Sequence, residues 1–301
     1  EILKDKKTSS PFSITQRRLG REDKGVQLVP ETDRHQPCLY NYEQGDCLKY
    51  SWVTTGFVMG TVMRPPEPRD YWQRGTAQGW AHGLIIAGKD PANMPERVIP
   101  IMIHVNHRDI LSDQYAVQSK GSFMTRKLPE VISRGQNNIM NRFGVFVSKG
   151  LEPEHSGDFI FIDSPKCWVA IRAVGTKFVV NNEPLMQAYR KLGHFYLPED
   201  NLQPVIIEAA TPGDYEDFAE FKLVVTQARL VSEAGSNTYF SLSGDEFTMF
   251  DDRSYPKING RKIDYNPDMA YDSRYVKSKW DSGIVKISPG RTEKILNFTA
   301  E

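Results

Sequence analysis

Between residues 71 and 82 the chain gathers Tyr71, Trp72, Arg74, Gln78, Trp80 and His82. A sugar ring offers an apolar face that stacks on an indole or phenol ring. Its hydroxyls need amide, guanidinium or imidazole partners, and this segment supplies both kinds of group. Pro65, Pro66 and Pro68 lie just before it and remove backbone donors, so regular strand pairing is excluded and an irregular loop is expected. Trp72, Arg74, Gln78 and Trp80 are the candidate substrate-binding residues. The competing use for such rings is to plug the end of a β-sandwich.

Other clusters are weaker. His104 and His107 are spaced like metal ligands, but zinc needs three or four ligands converging at about 2.0–2.3 Å. On a strand, positions i and i+3 face opposite sides, and no cysteine or second histidine pair lies nearby. No metal and no cofactor is expected. Glu208 sits in the otherwise apolar run PVIIEAA, where a carboxylate needs a partner such as Arg172 or a raised pKa. Asp214, Glu216 and Asp217 read as a solvated turn. Glycosidic hydrolysis needs two carboxylates flanking the bond, and the sequence does not show which pairs converge. No GxSxG, phosphate-binding glycine loop or CxxC is present, so nothing supports serine hydrolysis, phosphoryl transfer or thiol redox chemistry. Cys38 and Cys47 are nine residues apart and could close a small disulfide; the alternative is that both, with Cys167, are reduced. The triplet Asn297-Phe298-Thr299 is a glycosylation sequon, a pattern common by chance.

The elements that would position these groups are strands. In residues 157–184, Phe159, Phe161 and Asp163 alternate with Ile160 and Ile162, Ser164-Pro165-Lys166 turns the chain, and Gly175-Thr176 turns it again, which reads as a three-strand meander. Similar short runs recur from about residue 50 to 298, giving an all-β chain, a large antiparallel β-sandwich of the supersandwich kind with few short helices. The best helix candidate is PLMQAYRKL, 184–192. In FAEFKLVVTQARLV, the β-branched pair and flanking Gly and Pro favour a strand over a helix carrying Phe218, Phe221, Val224 and Val225 on one side. Residues 1–35 are highly charged and read as an arm or linker leaving an upstream segment, 36–234 as the large sandwich, and 235–301 as a smaller C-terminal sheet region.

Composition sets outer limits. The 38 basic and 38 acidic residues cancel, which argues against nucleic acid or an anionic membrane as a global partner, although a local basic groove would suit an acidic polysaccharide. No apolar run approaches the ~20 residues of a membrane span.

The segments WVTTGFVMG, WAHGLIIAG, YAVQSKGSFM, GDFIFIDSPKCWVAIRAVG, LQPVIIEAA and YDSRYVKSKWDSGIV, in this order, resemble the β-sandwich part of heparinase II/III-like polysaccharide lyases, which join an α/α toroid to a sandwich. The resemblance covers roughly residues 40–300 and is one of pattern. It implies β-elimination on a uronate-containing polysaccharide, with the helical catalytic half as an upstream domain or separate chain, in an extracellular or periplasmic setting. By role, it makes His82 and Tyr71 the catalytic acid/base candidates and Arg74 the uronate partner. The His- and Asp-rich run of the metal-bearing heparinase II-like sandwich has no counterpart here. The rival expectation is a non-catalytic module that binds glycans or builds a cell-surface assembly.

Overall fold

The computed structural model describes residues 26–32, 48–63, 65–66, 83–86, 96–103, 114–127, 142–180, 193–265, 267–273, 275–280, 282–288 and 292–299. These hold 23 strands, numbered in chain order, and one helix, arranged as four antiparallel sheets. The first sheet has eight strands in the order β1 (Val26–Thr32), β2 (Leu48–Val53), β3 (Phe57–Met63), β4 (Gly83–Ile86), β5 (Glu96–Ile103), β8 (Arg142–Ser148), β13 (Gly193–Pro198) and β12 (Phe178–Val180). The second has six: β6 (Gln114–Ser119), β7 (Ser122–Lys127), β14 (Val205–Ala210), β11 (Cys167–Ala173), β10 (Phe159–Ser164) and β9 (Pro153–Ser156). A third, five-stranded sheet runs β15 (Leu230–Glu233), β16 (Ser236–Phe240), β17 (Glu246–Phe250), β18 (Lys257–Ile258) and β19 (Arg261–Lys262). The fourth has four strands, β20 (Met269–Asp272), β21 (Val276–Lys279), β22 (Ile284–Ile287) and β23 (Lys294–Asn297). The helix is α1, Phe218–Gln227.

The first two sheets face each other as an all-β sandwich. Met59, Leu84 and Phe143 of the first meet Ile160, Val169 and Ile207 of the second in one core. The alternation read in 157–164 holds, since Ile160 and Ile162 enter this core while Phe159 and Phe161 point to the opposite face. That opposite face is also buried. The third sheet covers one half of it, with Tyr239, Phe247 and Met249 against Tyr115, Met124 and Ile206. Helix α1 covers the other half, setting Phe221 and Val225 on Phe161, Trp168 and Ala170.

Two expectations are corrected. The segment 218–227 is helix, not strand: Asp217 caps it by accepting a hydrogen bond from the Glu220 amide at 2.8 Å, while the Glu220 carboxylate accepts one from the Glu216 amide. This reciprocal cap satisfies amides that a strand would have paired elsewhere, and the i, i+4 pair Phe221 and Val225 then finds an apolar face to bury. The meander also breaks. β10 and β11 pair across Pro165-Lys166, but β12 pairs with β13 at the edge of the first sheet. Gly175, at φ 65°, turns the chain from one layer to the other. The helix expected at 184–192 lies outside the described residues, as do residues 1–25 of the expected arm 1–35, whose described part, Val26–Thr32, is strand β1 paired with β2.

Gly56, between β2 and β3, is required by a close approach, because a Cβ there would lie 2.0 Å from the Lys166 carbonyl oxygen in the β10–β11 turn. Gly235, at φ 85°, turns the β15–β16 hairpin. No helix among the described residues is long and apolar enough to cross a membrane.

Because Phe221 is fully enclosed while Leu223 on the same helix is 55% exposed, Phe221→Ala is expected to cost about 3–5 kcal/mol and Leu223→Ala no more than about 0.5 kcal/mol. Denaturant unfolding of both variants checks this; equal losses would mean that α1 is not anchored through Phe221.

Candidate functional site

Tyr71, Trp72, Arg74, Gln78, Trp80 and His82 lie outside the described residues, as do His104, His107, Cys38 and Cys47. The strands that carry their segments are described, and their directions follow from the register. Thr32 pairs with Leu48, Leu48 with Met63, Gly60 with Gly83 and Ile103 with Arg142. Because neighbouring strands alternate in direction, all of these positions lie toward one end of the first sheet. The connections 33–47, 64–82 and 104–113 therefore leave from that end, and 128–141 returns to it. The aromatic segment and the histidine pair share this attachment. Pro65 and Pro66, just after β3, are buried. At the opposite end β2 turns into β3 through Thr54, whose hydroxyl oxygen accepts from the amides of Gly56 at 3.0 Å and Phe57 at 2.8 Å.

Inside the layers the structure assembles a second group of titratable side chains. Glu208 is 1% exposed and stands on the face of β14 that the third sheet covers. The ladder sets it opposite Ser122 of β7, whose hydroxyl donates to Oε2 at 2.6 Å. The Leu242 amide, in the turn between β16 and β17, donates to Oε1 at 3.1 Å. Tyr239 of β16 also hydrogen-bonds the carboxyl group. Burial dominates over these favourable bonds and pushes the Glu208 pKa up to about 7. Burial and the facing carboxylate together drive the Tyr239 phenol well above its usual range. Tyr215, near the start of α1, is pushed up to about 12 by burial, with Glu208, Asp214 and Glu220 adding to it.

Arg172 is not the partner of Glu208. The register pairs Glu208 with Ala170 and Arg172 with Ile206. The Arg172 guanidinium instead lies over the Phe159 ring at 5.0 Å, with Nε 3.4 Å from the Asp158 carboxylate. The segment of Asp214, Glu216 and Asp217 is the exposed turn leading into α1, where Asp214 accepts from the Thr211 hydroxyl at 2.6 Å.

Glu208 was conspicuous in the sequence as an acid in an apolar run. Ser122 and Tyr239 were not, because they come from strands distant in the chain and no local pattern marks them. Cys167 is free and fully buried, which drives its thiol pKa well above normal and leaves it inert as a nucleophile. Chemically, the Glu208 cluster can hold or release a proton between two layers. It cannot meet a solute, because Glu208, Ser122 and Tyr239 are each 1% exposed.

Comparison of the chain with family models, with curated proteins and with solved structures finds no match.

The Glu208 carboxyl binds its proton more tightly folded, at about 7, than at its ordinary 4.5. Its contribution to stability is therefore complete below about pH 4.5 and lost as pH rises through about 7, a fall of about 3 kcal/mol in all. Glu208→Gln keeps the shape without the titration. Unfolding free energies across this window should slope downward for the parent and run flatter for the variant; parallel slopes would mean that Glu208 does not titrate there.

Proposed function

We propose that this chain is the β-sandwich portion of a carbohydrate-active, polysaccharide lyase-like protein that works on uronate-containing glycans by β-elimination. Its helical half is an upstream α/α-toroid domain or a separate chain, and its setting is extracellular or periplasmic. The observation that carries the reading is the convergence of strand ends described above. A rigid all-β frame sends the one segment rich in sugar-compatible side chains, and three further long connections, from one end of a sheet. Sandwich folds display binding residues in this manner, on loops held by paired strands.

In this reading the rings of Trp72 and Trp80 stack on sugar faces and the Gln78 amide bonds a hydroxyl. Arg74 pairs with the uronate carboxylate, which takes up negative charge as the neighbouring C–H proton leaves. Tyr71 and His82 divide the two proton transfers: one removes that proton and the other protonates the departing glycosidic oxygen. The carbon–oxygen bond breaks as the carbon–carbon double bond forms, and no water is consumed.

The test follows the ultraviolet absorbance of the new conjugated double bond, with polygalacturonate and alginate as substrates, using the chain alone and with an added toroid. A rise that Tyr71→Phe or His82→Ala lowers by about 10²–10⁴-fold supports the assignment. Trp72→Ala and Trp80→Ala should each weaken glycan binding up to about tenfold. Binding without any rise would leave a non-catalytic glycan module; neither binding nor rise sinks the reading.

A further inference from the structure

The fourth sheet has two unlike faces. Along β21 and β22 exposure alternates residue by residue, and in β23 only Leu296 is half-buried, Lys294 being exposed opposite Ile287. Val276, Val285, Ile287 and Leu296 are half-buried on one side, while Lys277, Lys279, Ile284, Lys286, Ile295 and Asn297 are exposed on the other. The register sets Lys277 directly opposite Lys286, and Lys286 opposite Ile295. Lys279 follows Lys277 on the same face, two positions along β21. Neighbouring strands are about 4.8 Å apart and alternate residues about 6.8 Å apart, so the three ammonium groups share a patch little wider than two strands.

This arrangement costs the fold something. Like charges placed directly opposite on a sheet repel, and a small four-stranded sheet has little stability to spare. The offset within the sheet is slight: Asp272 pairs with Lys277 at 3.4 Å, and both side chains are more than half exposed. The imbalance extends through the segment, since residues 269–299 hold six basic and three acidic residues in a chain that is neutral overall. With one exposed carboxylate, Asp272, beside three lysines, the face keeps a net positive charge that an anion supplied from outside would balance.

We infer that the exposed face of the fourth sheet, built on Lys277, Lys279 and Lys286, is a docking surface for an acidic polysaccharide, which it binds by its carboxylates. Lysine is a compact point charge suited to single carboxylates along an extended chain, whereas arginine forks favour bidentate partners. Ile284, two positions from Lys286 on β22, and Ile295, opposite Lys286 on β23, flank the charges and give the less polar faces of sugar rings a surface to rest on. Strand alternation puts Tyr271, opposite Ser278, and Phe298, after Asn297, on the other face. Among the described residues, the cationic face therefore carries no ring platform on which nucleic-acid bases stack. The inference rests on the reading of this chain as a glycan-handling protein for its choice of polyanion, but not on any reaction at the loop-bearing end.

The experiment measures binding of the whole chain to polygalacturonate at low and high salt, with neutral dextran, duplex DNA of matched charge and phosphatidylserine vesicles in parallel. The expected result is salt-sensitive binding of polygalacturonate and none of dextran at this face. The triple variant Lys277→Gln, Lys279→Gln, Lys286→Gln should bind polygalacturonate roughly a hundredfold more weakly at low salt. Its melting temperature should be unchanged or slightly higher, because the Lys277–Lys286 repulsion is gone. Binding undiminished in the triple variant overturns the inference; the loop reading stays separate, because its variants at Trp72 and Trp80 are scored on their own. Equal or tighter lysine-dependent binding of DNA or of vesicles also overturns it, assigning the face to that class of partner instead.

Discussion

The second sheet is buried on both faces, and most of the molecule answers to that. β10, β11 and β14 carry apolar residues at nearly every position, with little of the alternation that a sheet wet on one side shows. One side is met by the first sheet. The other would leave Phe159, Phe161, Trp168 and Ile206 in water unless something lay over it, and the chain spends residues 218–265 on that cover. Polar groups stranded on this second face then need partners inside. Ser122 and Glu208 find each other, and the Arg126 guanidinium donates to the carbonyls of Phe250, at 2.8 Å, and Leu202, at 2.8 Å. The Tyr115 hydroxyl donates to the Phe250 carbonyl at 2.6 Å. The same bonds that satisfy buried polarity thus fix the third sheet against the second.

The cover is joined to the sandwich by polar contacts at its margin too. Ser119 donates to the Asp245 carboxylate at 2.6 Å and the Lys120 ammonium to the Ser243 carbonyl at 2.8 Å. Burial raises the Asp245 pKa, but hydrogen bonds from Ser119 and Asn259 and the Lys120 charge outweigh it and hold the group low. Asn259 and Gly260, both at positive φ, make the tight β18–β19 turn from which the Asn259 side-chain amide reaches Asp245 at 2.7 Å. A short hairpin and a carboxylate thereby set the position of the β16–β17 turn, and with it the Leu242 amide that meets Glu208.

The strand pattern was legible because alternation, turn residues and β-branched side chains are local properties; the β10–β11 hairpin could be read residue by residue. Two features were not. Phe218, Phe221 and Val225 are spaced as on a helix, but the β-branched Val224-Val225 pair and the flanking Gly and Pro weigh for a strand, and the Asp217–Glu220 cap that decides for helix is only a four-residue signal. The destination of β12 depends on β13 being available at the edge of the first sheet, which no property of residues 175–180 encodes. The candidate site divides in the same way. The composition of residues 71–82 is evident by inspection, and the direction in which β3 and β4 carry that segment emerges only from the register. Glu208 announced itself by its setting, but its partners Leu242 and Ser122 lie 34 and 86 positions away and belong to the tertiary fold.

The enclosure of Glu208 has a temporal consequence. A surface carboxyl exchanges its proton with water almost at once, whereas this one is walled in by Ser122, Tyr239 and the Leu242 backbone. For its proton to depart, the β16–β17 turn must lift from β14. The rate at which this residue ionises therefore depends on the parting of two layers, while the acidity of the medium sets its final charge state. After a sudden change of pH the protein retains, for the lifetime of that closed contact, the charge state of the solution it has left.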